Sequence, residues 1–184
     1  MNFERSIVGE IEQYLNRDLI LLITGARQVG KTTAMKQVMK HLESVGEVCY
    51  YLTLEDIEYR VLLKESPKNL FRILPPPGER KMFVFIDEIQ YLDDPASFLK
   101  YLYDEHRENI KLIVSGSSSF YIDKKFKDSL SGRKKIFELL PLSFREFLVF
   151  KNASELADDL NHPTPLIIAD KLIPFVMEFL LYGG

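Results

Sequence analysis

Short continuous runs of apolar residues alternate along this chain with stretches whose apolar residues recur at helical spacing. The apolar runs cover residues 19–23, 48–52, 82–86, 111–114 and 136–140. Runs of this length are typical of strands that are covered on both faces of a parallel sheet. The predicted helices cover residues near 3–16, 31–44, 55–64, 67–73 and 95–107. Strands alternating with helices predict an α/β domain with a five-stranded, mostly parallel sheet.

The pattern changes after residue 140, and no further strand is predicted. Phe144, Phe147 and Leu148 mark a short helix, and Thr164-Pro165 predicts the capped start of another helix, which Pro174 kinks or restarts. We therefore expect a core domain over residues 1–141 and a helical segment over residues 142–184. The chain ends on an apolar helix and a glycine pair, which predicts a truncated lid or the start of a C-terminal domain.

A glycine-rich loop, G-x-x-x-x-G-K-T, follows the first predicted strand and precedes a helix, which is the context that phosphate binding requires. Its glycines let backbone N–H groups point at phosphate oxygens, and the helix adds its positive amino end. Lys31 would supply a charge to the β- and γ-phosphates, and Thr32 a hydroxyl ligand for Mg²⁺. The predicted nucleotide-binding residues are Gly25, Ala26, Arg27, Gln28, Val29, Gly30, Lys31, Thr32 and Thr33.

Two carboxylates, Asp87 and Glu88, stand at the end of the third predicted strand. Asp87 is placed to hold Mg²⁺, directly or through water. Glu88 is placed to orient the attacking water and to accept its proton. In the alternative interpretation, Asp87 caps the following turn and Glu88 is solvated. The glycine-rich loop favours the metal role, because such a loop works with an acidic metal partner from another strand.

The predicted ligand is therefore a nucleoside triphosphate with Mg²⁺. The chain contains no N-K-x-D segment of the kind that recognises guanine. Kinase-type and GTPase-type proteins usually lack a glutamate paired in this way with the strand-end aspartate. ATP is favoured by elimination, although no residue directly indicates adenine recognition.

Four segments together resemble a prokaryotic group of AAA+-type P-loop ATPases. They are G-x-R-Q-V-G-K-T at 25–32, D-E-I-Q at 87–90, S-G-S-S-S at 115–119, and S-G-R followed by L-x-P-L-S-F-x-E-F-L within 131–148. The resemblance implies a P-loop three-layer sandwich with strand order 5-1-4-3-2, and ATP hydrolysis. Members of the group usually continue beyond a segment like Tyr182-Gly183-Gly184 into a C-terminal region of uncharacterised function.

The resemblance also assigns two further catalytic positions. Ser115 and Ser117 are both candidates for the sensor that contacts the γ-phosphate or the attacking water, and Ser117 is favoured; the alternative is a serine-rich turn. Arg133 resembles an arginine finger, which in AAA+ proteins often comes from a neighbouring subunit and so implies a homo-oligomer; the alternative is a surface arginine. No arginine follows Arg145, whereas many AAA+ ATPases carry one in a helical lid.

Composition and charge limit the classes of partner that we expect for this chain. The chain has 24 basic and 27 acidic residues and a formal net charge of −3, which does not support a strongly basic nucleic-acid module. A basic cluster between residues 111 and 135 leaves nucleic-acid contact open, although a solvated surface is favoured. One cysteine, no apolar signal core and no apolar run long enough to span a bilayer lead us to expect a cytoplasmic protein without a membrane partner.

Three functional hypotheses remain. The first is Mg²⁺-dependent ATP hydrolysis by Lys31, Glu88, Ser117 and Arg133. The second is a slow nucleotide-dependent switch that controls a partner or an effector domain. The third is a nucleic-acid-acting ATPase module.

Overall fold

The computed structural model describes residues 5–78, 80–116, 130–160 and 166–182. The chain divides into two compact units. The larger unit is Ile7–Leu139, and the smaller unit combines Met1–Ser6 with Leu140–Gly184. We call them the core unit and the C-terminal unit.

The core unit contains a five-stranded sheet. Its strands are β1 (Ile20–Thr24), β2 (Val48–Thr53), β3 (Met82–Asp87), β4 (Ile110–Gly116) and β5 (Lys134–Glu138). The strand order is β2-β3-β4-β1-β5, and every neighbouring pair is parallel. This confirms the predicted order 5-1-4-3-2, counted from the opposite edge. Because parallel strands share a direction, the carboxyl ends of β1, β3 and β4 lie at one edge of the sheet.

The described helices precede β1, lie between successive strands from β1 to β4, and follow β5. In the core unit they are α1 (Ser6–Glu12), α2 (Lys31–Ser44), α3 (Ile57–Glu65), α4 (Leu70–Ile73) and α5 (Pro95–His106). In the C-terminal unit they are α6 (Phe144–Phe150), α7 (Ser154–Asp159) and α8 (Leu166–Tyr182). Short 3-10 turns lie at Pro67–Asn69 and Ile89–Tyr91. The first residue of α1, Ser6, falls in the C-terminal unit by this division.

Apolar residues cover both faces of the sheet, which explains the unbroken apolar runs. Alternate residues of β1 enter different clusters: Leu22 belongs to one and Leu21 to the other. The first cluster includes residues of α3, α4 and α5, and the second includes residues of α1 and α2. The sheet is therefore the middle of three layers, as the α/β prediction requires.

Side-chain caps explain where two of the core helices begin. The Asp56 carboxylate accepts the N–H of Glu58 at 2.8 Å at the start of α3. The Asp94 carboxylate accepts the N–H of Ser97 at 3.1 Å at the start of α5, where Pro95 occupies the first helical position. Both arrangements satisfy backbone donors that lack partners inside the helix.

Helix α1 is shorter than the periodicity predicts. It ends at Glu12, and residues 13–19 form turns. The buried ammonium of Lys111 donates hydrogen bonds to the carbonyls of Tyr14, Arg17 and Leu19 at 3.0, 2.5 and 2.7 Å. These three bonds hold carbonyls that a continuing helix would direct along its own axis. A lysine almost a hundred residues away cannot be inferred from local spacing.

Two other elements also differ from their predicted bounds. Strand β5 begins two residues before the predicted run, because Lys134 and Lys135 pair in register with Ile20 and Leu21. Helix α8 continues through Pro174 without a break between its described ends. The predicted cap at Thr164-Pro165 lies outside the described residues.

The C-terminal unit packs around a small apolar cluster that contains Leu148, Ala157 and Leu172. A capping box begins α6: Ser143 and Glu146 exchange side-chain and backbone hydrogen bonds. The Glu146 carboxylate also accepts from the N–H and the hydroxyl of Ser6 and from Arg5. Among the described residues, no helix is long and apolar enough to cross a bilayer.

Candidate functional site

The glycine-rich loop joins the carboxyl end of β1 to α2, and two glycines shape it. Gly25 has φ 150°, and a Cβ atom there would lie 2.3 Å from the Leu139 carbonyl oxygen. Gly30 has φ 95° and stands immediately before the first residue of α2. Only glycine adopts these conformations without strain, and only glycine fits against Leu139. Gln28 also has a positive φ, 66°, so a non-glycine residue carries strain within the same loop.

Lys31 begins α2 and lies back against the loop. Its ammonium donates to the carbonyls of Gly25 at 3.2 Å and Ala26 at 2.7 Å, and the residue is 5% exposed. Burial lowers the pKa of Lys31 from its ordinary value, and the carboxylates of Glu88 and Asp87 oppose that change. The geometry keeps a cation at the mouth of the loop, where phosphate oxygens would meet it.

The Asp87 carboxylate is the centre of a hydrogen-bond network, and it is 3% exposed. Its Oδ2 accepts from the Thr32 hydroxyl and from the Tyr51 hydroxyl, each at 2.6 Å. Its Oδ1 accepts from the Ser115 hydroxyl and, at 3.1 Å, from the backbone N–H of Glu88. Residues from α2, β2 and β4 therefore hold one carboxylate at the end of β3. Burial and the bond to Asp87 raise the pKa of Tyr51.

The Thr32–Asp87 bond fits a magnesium site. A carboxylate can only accept, so the Thr32 hydroxyl spends its single proton on Asp87 and keeps its lone pairs for a cation. Mg²⁺ prefers such oxygen ligands and usually retains several waters. Thr32 and Asp87, the two residues predicted to hold the metal, are thus the pair that the structure brings together.

Glu88 follows Asp87 in a left-handed conformation, with φ 60°. Its N–H also donates to Ser115 Oγ at 3.1 Å, and its carboxylate accepts from the side-chain amide of Gln90. A left-handed non-glycine residue costs about 1–3 kcal/mol and persists where surrounding bonds enforce it. Glu88 also lines the cavity described next.

A cavity of about 570 Å³ brings the glycine-rich loop and Glu88 together. The residues that line it are Arg27, Gln28, Gly30, Lys31, Thr32, Thr33, Glu55, Glu88 and Tyr91. Six of the nine predicted binding residues are in this lining. Gly25 and Ala26 contribute through their carbonyls to Lys31, and Val29 lies between them and Gly30 in the loop.

Three residues of the site were not predicted. Tyr51 reaches Asp87 because β2 and β3 pair in a register that sets Tyr51 opposite Phe85 and Thr53 opposite Asp87. Glu55 and Tyr91 reach the cavity from the loop after β2 and from the 3-10 turn after β3. The only sequence signal for Glu55 and Tyr91 was that their segments follow strands. The contact of Tyr51 depends on strand register, which does not follow from apolar runs alone.

Arg133 does not join this cavity. It precedes β5, and its carbonyl accepts from Ile20 N–H at the amino end of β1, whereas the glycine-rich loop follows the carboxyl end. Five strand residues separate the two ends by about 16 Å. The Arg133 guanidinium instead pairs with Asp104 at 2.9 Å. A role for Arg133 in its own cavity is therefore not supported, and a role in a neighbouring subunit stays a prediction.

Some predicted positions lie outside the described residues. Ser117 is one of them, and so are three of the six lysines of the predicted basic cluster, Lys124, Lys125 and Lys127. Ser115 is described and completely buried against Asp87. In the parts of the chain that the structure describes, no group of three histidine, cysteine or acidic residues could hold a further metal ion.

Comparison with known sequences places the site in a family. A family profile described as an AAA domain matches residues 17–148. An uncharacterised protein of Methanocaldococcus jannaschii is 30% identical over 196 positions, covering 99% of this chain and 42% of the relative. An uncharacterised protein of Haemophilus influenzae is 30% identical over 158 positions, covering 82% of this chain and 39% of the relative. The chain spans about two fifths of the length of these relatives.

Solved structures are similar in fold. PCH-2 of C. elegans superposes with a TM-score of 0.58 at 20% identity, covering 85% of this chain and 49% of that one. The Aeropyrum pernix ORC1 protein, solved in complex with DNA, gives 0.53 at 14% identity, covering 83% and 48%. At these identities the likeness concerns the fold alone. The family profile spans the glycine-rich loop, the strand-end carboxylates and all five strands, and the chain belongs to the AAA-domain family of AAA+-type P-loop ATPases.

Proposed function

We propose that this chain binds ATP with Mg²⁺ in the cavity beside the glycine-rich loop and hydrolyses the bound ATP. The observation that carries the proposal is the 2.6 Å bond between Thr32 and Asp87, next to the buried ammonium of Lys31. This arrangement offers a cation for phosphate and a polarised hydroxyl for a metal ion within one cavity.

Binding would use groups that already face the loop. The ammonium of Lys31 would exchange its bonds to the Gly25 and Ala26 carbonyls for bonds to phosphate oxygens. The N–H groups that open α2 would add the favourable end of the helix dipole. Thr32 would hold Mg²⁺ through its hydroxyl oxygen, and Asp87 would orient that hydroxyl and add its negative charge beside the ion. Mg²⁺ supplies charge neutralisation on the β- and γ-phosphates when bound.

Hydrolysis would depend on Glu88. Its carboxylate lines the cavity together with Lys31 and Thr32, so it can orient a water molecule and accept its proton. The Glu88 N–H donates to Ser115 Oγ, which holds the main chain of Glu88 in place. General-base catalysis by a positioned side chain contributes about 10²–10⁴-fold to a rate.

The test compares steady-state ATP turnover of the wild type, Glu88→Gln and Glu55→Gln. Both glutamates line the cavity, so the second variant controls for a changed charge there. We expect Glu88→Gln to lower kcat by about 100-fold or more while it still binds ATP. We expect Glu55→Gln to keep a kcat near that of the wild type. Undiminished turnover by Glu88→Gln would refute the assignment of the base.

A slow nucleotide-dependent switch is the second candidate function. Two observations favour it. The Gln90 side-chain amide donates a hydrogen bond to the Glu88 carboxylate. Arg133 lies beside the amino end of β1, whereas its own cavity lies at the carboxyl end. Both would slow hydrolysis in an isolated chain. A single-turnover measurement distinguishes the functions, because a switch would retain bound ATP over many minutes.

Two partner proposals accompany this function. A second copy of the chain would contribute Arg133 to the neighbouring nucleotide, in the cytoplasm that the composition predicts. Nucleic acid is a weaker proposal, since it depends on the basic residues between 111 and 135. Stimulation of turnover by DNA or RNA, and its decline with salt, would test it.

A further inference from the structure

Tyr51 is an unassigned polar residue in direct contact with the metal-binding pair. It lies in β2, and its hydroxyl is 2.6 Å from Asp87 Oδ2. The register that sets Tyr51 opposite Phe85 and Thr53 opposite Asp87 directs the Tyr51 side chain to the same sheet face as Asp87. The Lys36 ammonium, 5.6 Å from the ring centroid, flanks Tyr51 from α2. Tyr51 is therefore contacted by Asp87 at its hydroxyl and by Lys36 at its ring.

The Asp87 carboxylate has about four lone-pair positions, and four donors fill them. Thr32 and Tyr51 share Oδ2, while Ser115 and the Glu88 N–H share Oδ1. A filled carboxylate has one orientation, because rotation would break several bonds at once. Its orientation in turn decides where the Thr32 proton points, and so where the Thr32 lone pairs point.

We infer that Tyr51 is a positioning residue for the metal, which locks the Asp87 carboxylate so that the Thr32 hydroxyl presents its oxygen to Mg²⁺. The inference rests on the proposed function, since it concerns the cation that accompanies the nucleotide. Tyr51 is absent from the lining of the described cavity. It acts through Asp87 and Thr32, and it contributes to the metal-dependent part of nucleotide affinity.

Removal of the phenolic hydroxyl has a defined consequence. Tyr51→Phe leaves the ring in place but frees one lone pair of Oδ2, so the carboxylate can rotate away from Thr32. A hydrogen bond to a charged acceptor is among the stronger ones in a protein, so its loss has a measurable effect on binding. The loss falls on Mg²⁺-dependent binding. Binding of ATP without metal depends on Lys31 and the loop, which the substitution does not touch.

The matched control is the neighbouring tyrosine. Tyr50 lies in the same strand, pairs with Val84 and packs against the cluster on the opposite sheet face. Tyr50→Phe removes the same atom from the same strand without touching Asp87. The two variants therefore separate a role in metal positioning from a general effect on β2.

The experiment titrates Mg²⁺ into a fixed mixture of protein and a fluorescent ATP analogue, and measures binding by anisotropy. We expect Tyr51→Phe to raise the half-saturating Mg²⁺ concentration about three- to tenfold, with unchanged binding in EDTA. We expect Tyr50→Phe to match the wild type. Equal Mg²⁺ requirements in the two variants, or a lower requirement in Tyr51→Phe, would overturn the inference.

A second measurement tests the route through Asp87. In an Asp87→Asn background, Tyr51→Phe should have no additional effect on the Mg²⁺ requirement, because the two changes remove the same interaction. Additive effects would overturn the inference even if Tyr51→Phe alone weakened metal binding. Failure of the wild type to bind the analogue with or without Mg²⁺ would instead refute the proposed function, and the inference with it.

Discussion

At the scale of single residues, the site depends on positions where the backbone conformation accepts only one type of residue. The motif predicted Thr32 and Asp87 as a pair, because phosphate loops and strand-end acids have recurring chemistry. Tyr51 could not be predicted in this way, since its contact with Asp87 depends on the register of two strands. Ser115 was considered only as a sensor, yet its buried hydroxyl bonds to Asp87 and accepts the Glu88 N–H.

Gly25 is a position where we expect that only glycine fits, and a stability measurement tests this. A Cβ atom at residue 25 would lie 2.3 Å from the Leu139 carbonyl, and φ there is 150°. Strain and overpacking together predict that Gly25→Ala lowers the free energy of unfolding by about 3 kcal/mol. The measurement is urea unfolding followed by circular dichroism.

Gly9 is the matched glycine. It lies inside α1, and an added Cβ would meet nothing within 4 Å. Alanine is the better helix former, so Gly9→Ala should raise the free energy of unfolding by about 0.5–1 kcal/mol. Similar losses in both variants would contradict the account of Gly25.

At the scale of elements, apolar runs located all five strands. β1, β3 and β4 are buried on both faces, and the edge strands β2 and β5 are partly buried. The limits of α1 and β5 were wrong for a common reason. The carbonyls beyond α1 are held by Lys111, and the first residues of β5 are lysines that pair with β1. Long-range partners decided both boundaries, and local spacing contains no information about them.

Helix α6 offers a pH-dependent test at this scale. Burial would raise the pKa of Glu146, but bonds from the Ser143 and Ser6 backbone, the Ser6 hydroxyl and the Arg5 charge lower it to about 2. The carboxyl titrates near 4.5 in the unfolded chain. Its stabilisation, about 3 kcal/mol, is therefore present above pH 4.5 and is lost as the pH falls toward 2.

The measurement is the free energy of unfolding of Glu146→Gln and of the wild type between pH 7 and pH 2. We expect the variant to be less stable at pH 7 and the difference to shrink below pH 4.5. Glu155→Gln, at an exposed position in α7, controls for loss of a carboxylate in the same unit. A difference that stays constant with pH would show that Glu146 acts through packing rather than through its charge.

At the scale of the whole molecule, the strand order came from the family resemblance and is confirmed. The chain spans about two fifths of its relatives' length, so activities, substrates and partners of a whole protein of this family are proposals. The position of Arg133 bears on the proposal that the chain forms an oligomer. Arg133 lies beside the amino end of β1, one strand length of about 16 Å from the end that bears the glycine-rich loop, so its predicted role as an arginine finger would require a neighbouring subunit.

Mixing two inactive variants tests that assembly. Lys31→Ala subunits should lack bound nucleotide, and Arg133→Ala subunits should lack the finger. In a mixed oligomer, an Arg133→Ala subunit can bind ATP beside a Lys31→Ala neighbour that supplies Arg133. We expect turnover in about a quarter of the sites of an equal mixture, where each variant alone is inactive.

The control for that experiment is Arg107→Ala. Arg107 follows α5 and lies near the Tyr103 ring, as Arg133 does, but it is not a predicted finger. We expect this variant to retain turnover. An inactive mixture of Lys31→Ala and Arg133→Ala, with both variants folded, would contradict a finger supplied in trans.

Calorimetry of Mg·ATP binding shows whether the loop around Lys31 binds nucleotide. We expect saturable one-site binding by the wild type and a loss of about 100-fold in affinity for Lys31→Ala, because a charged hydrogen-bond donor to phosphate is removed. Lys40→Ala, at an exposed position in the same helix, should bind as the wild type does. No binding by the wild type, or equal binding by Lys31→Ala, would contradict the account.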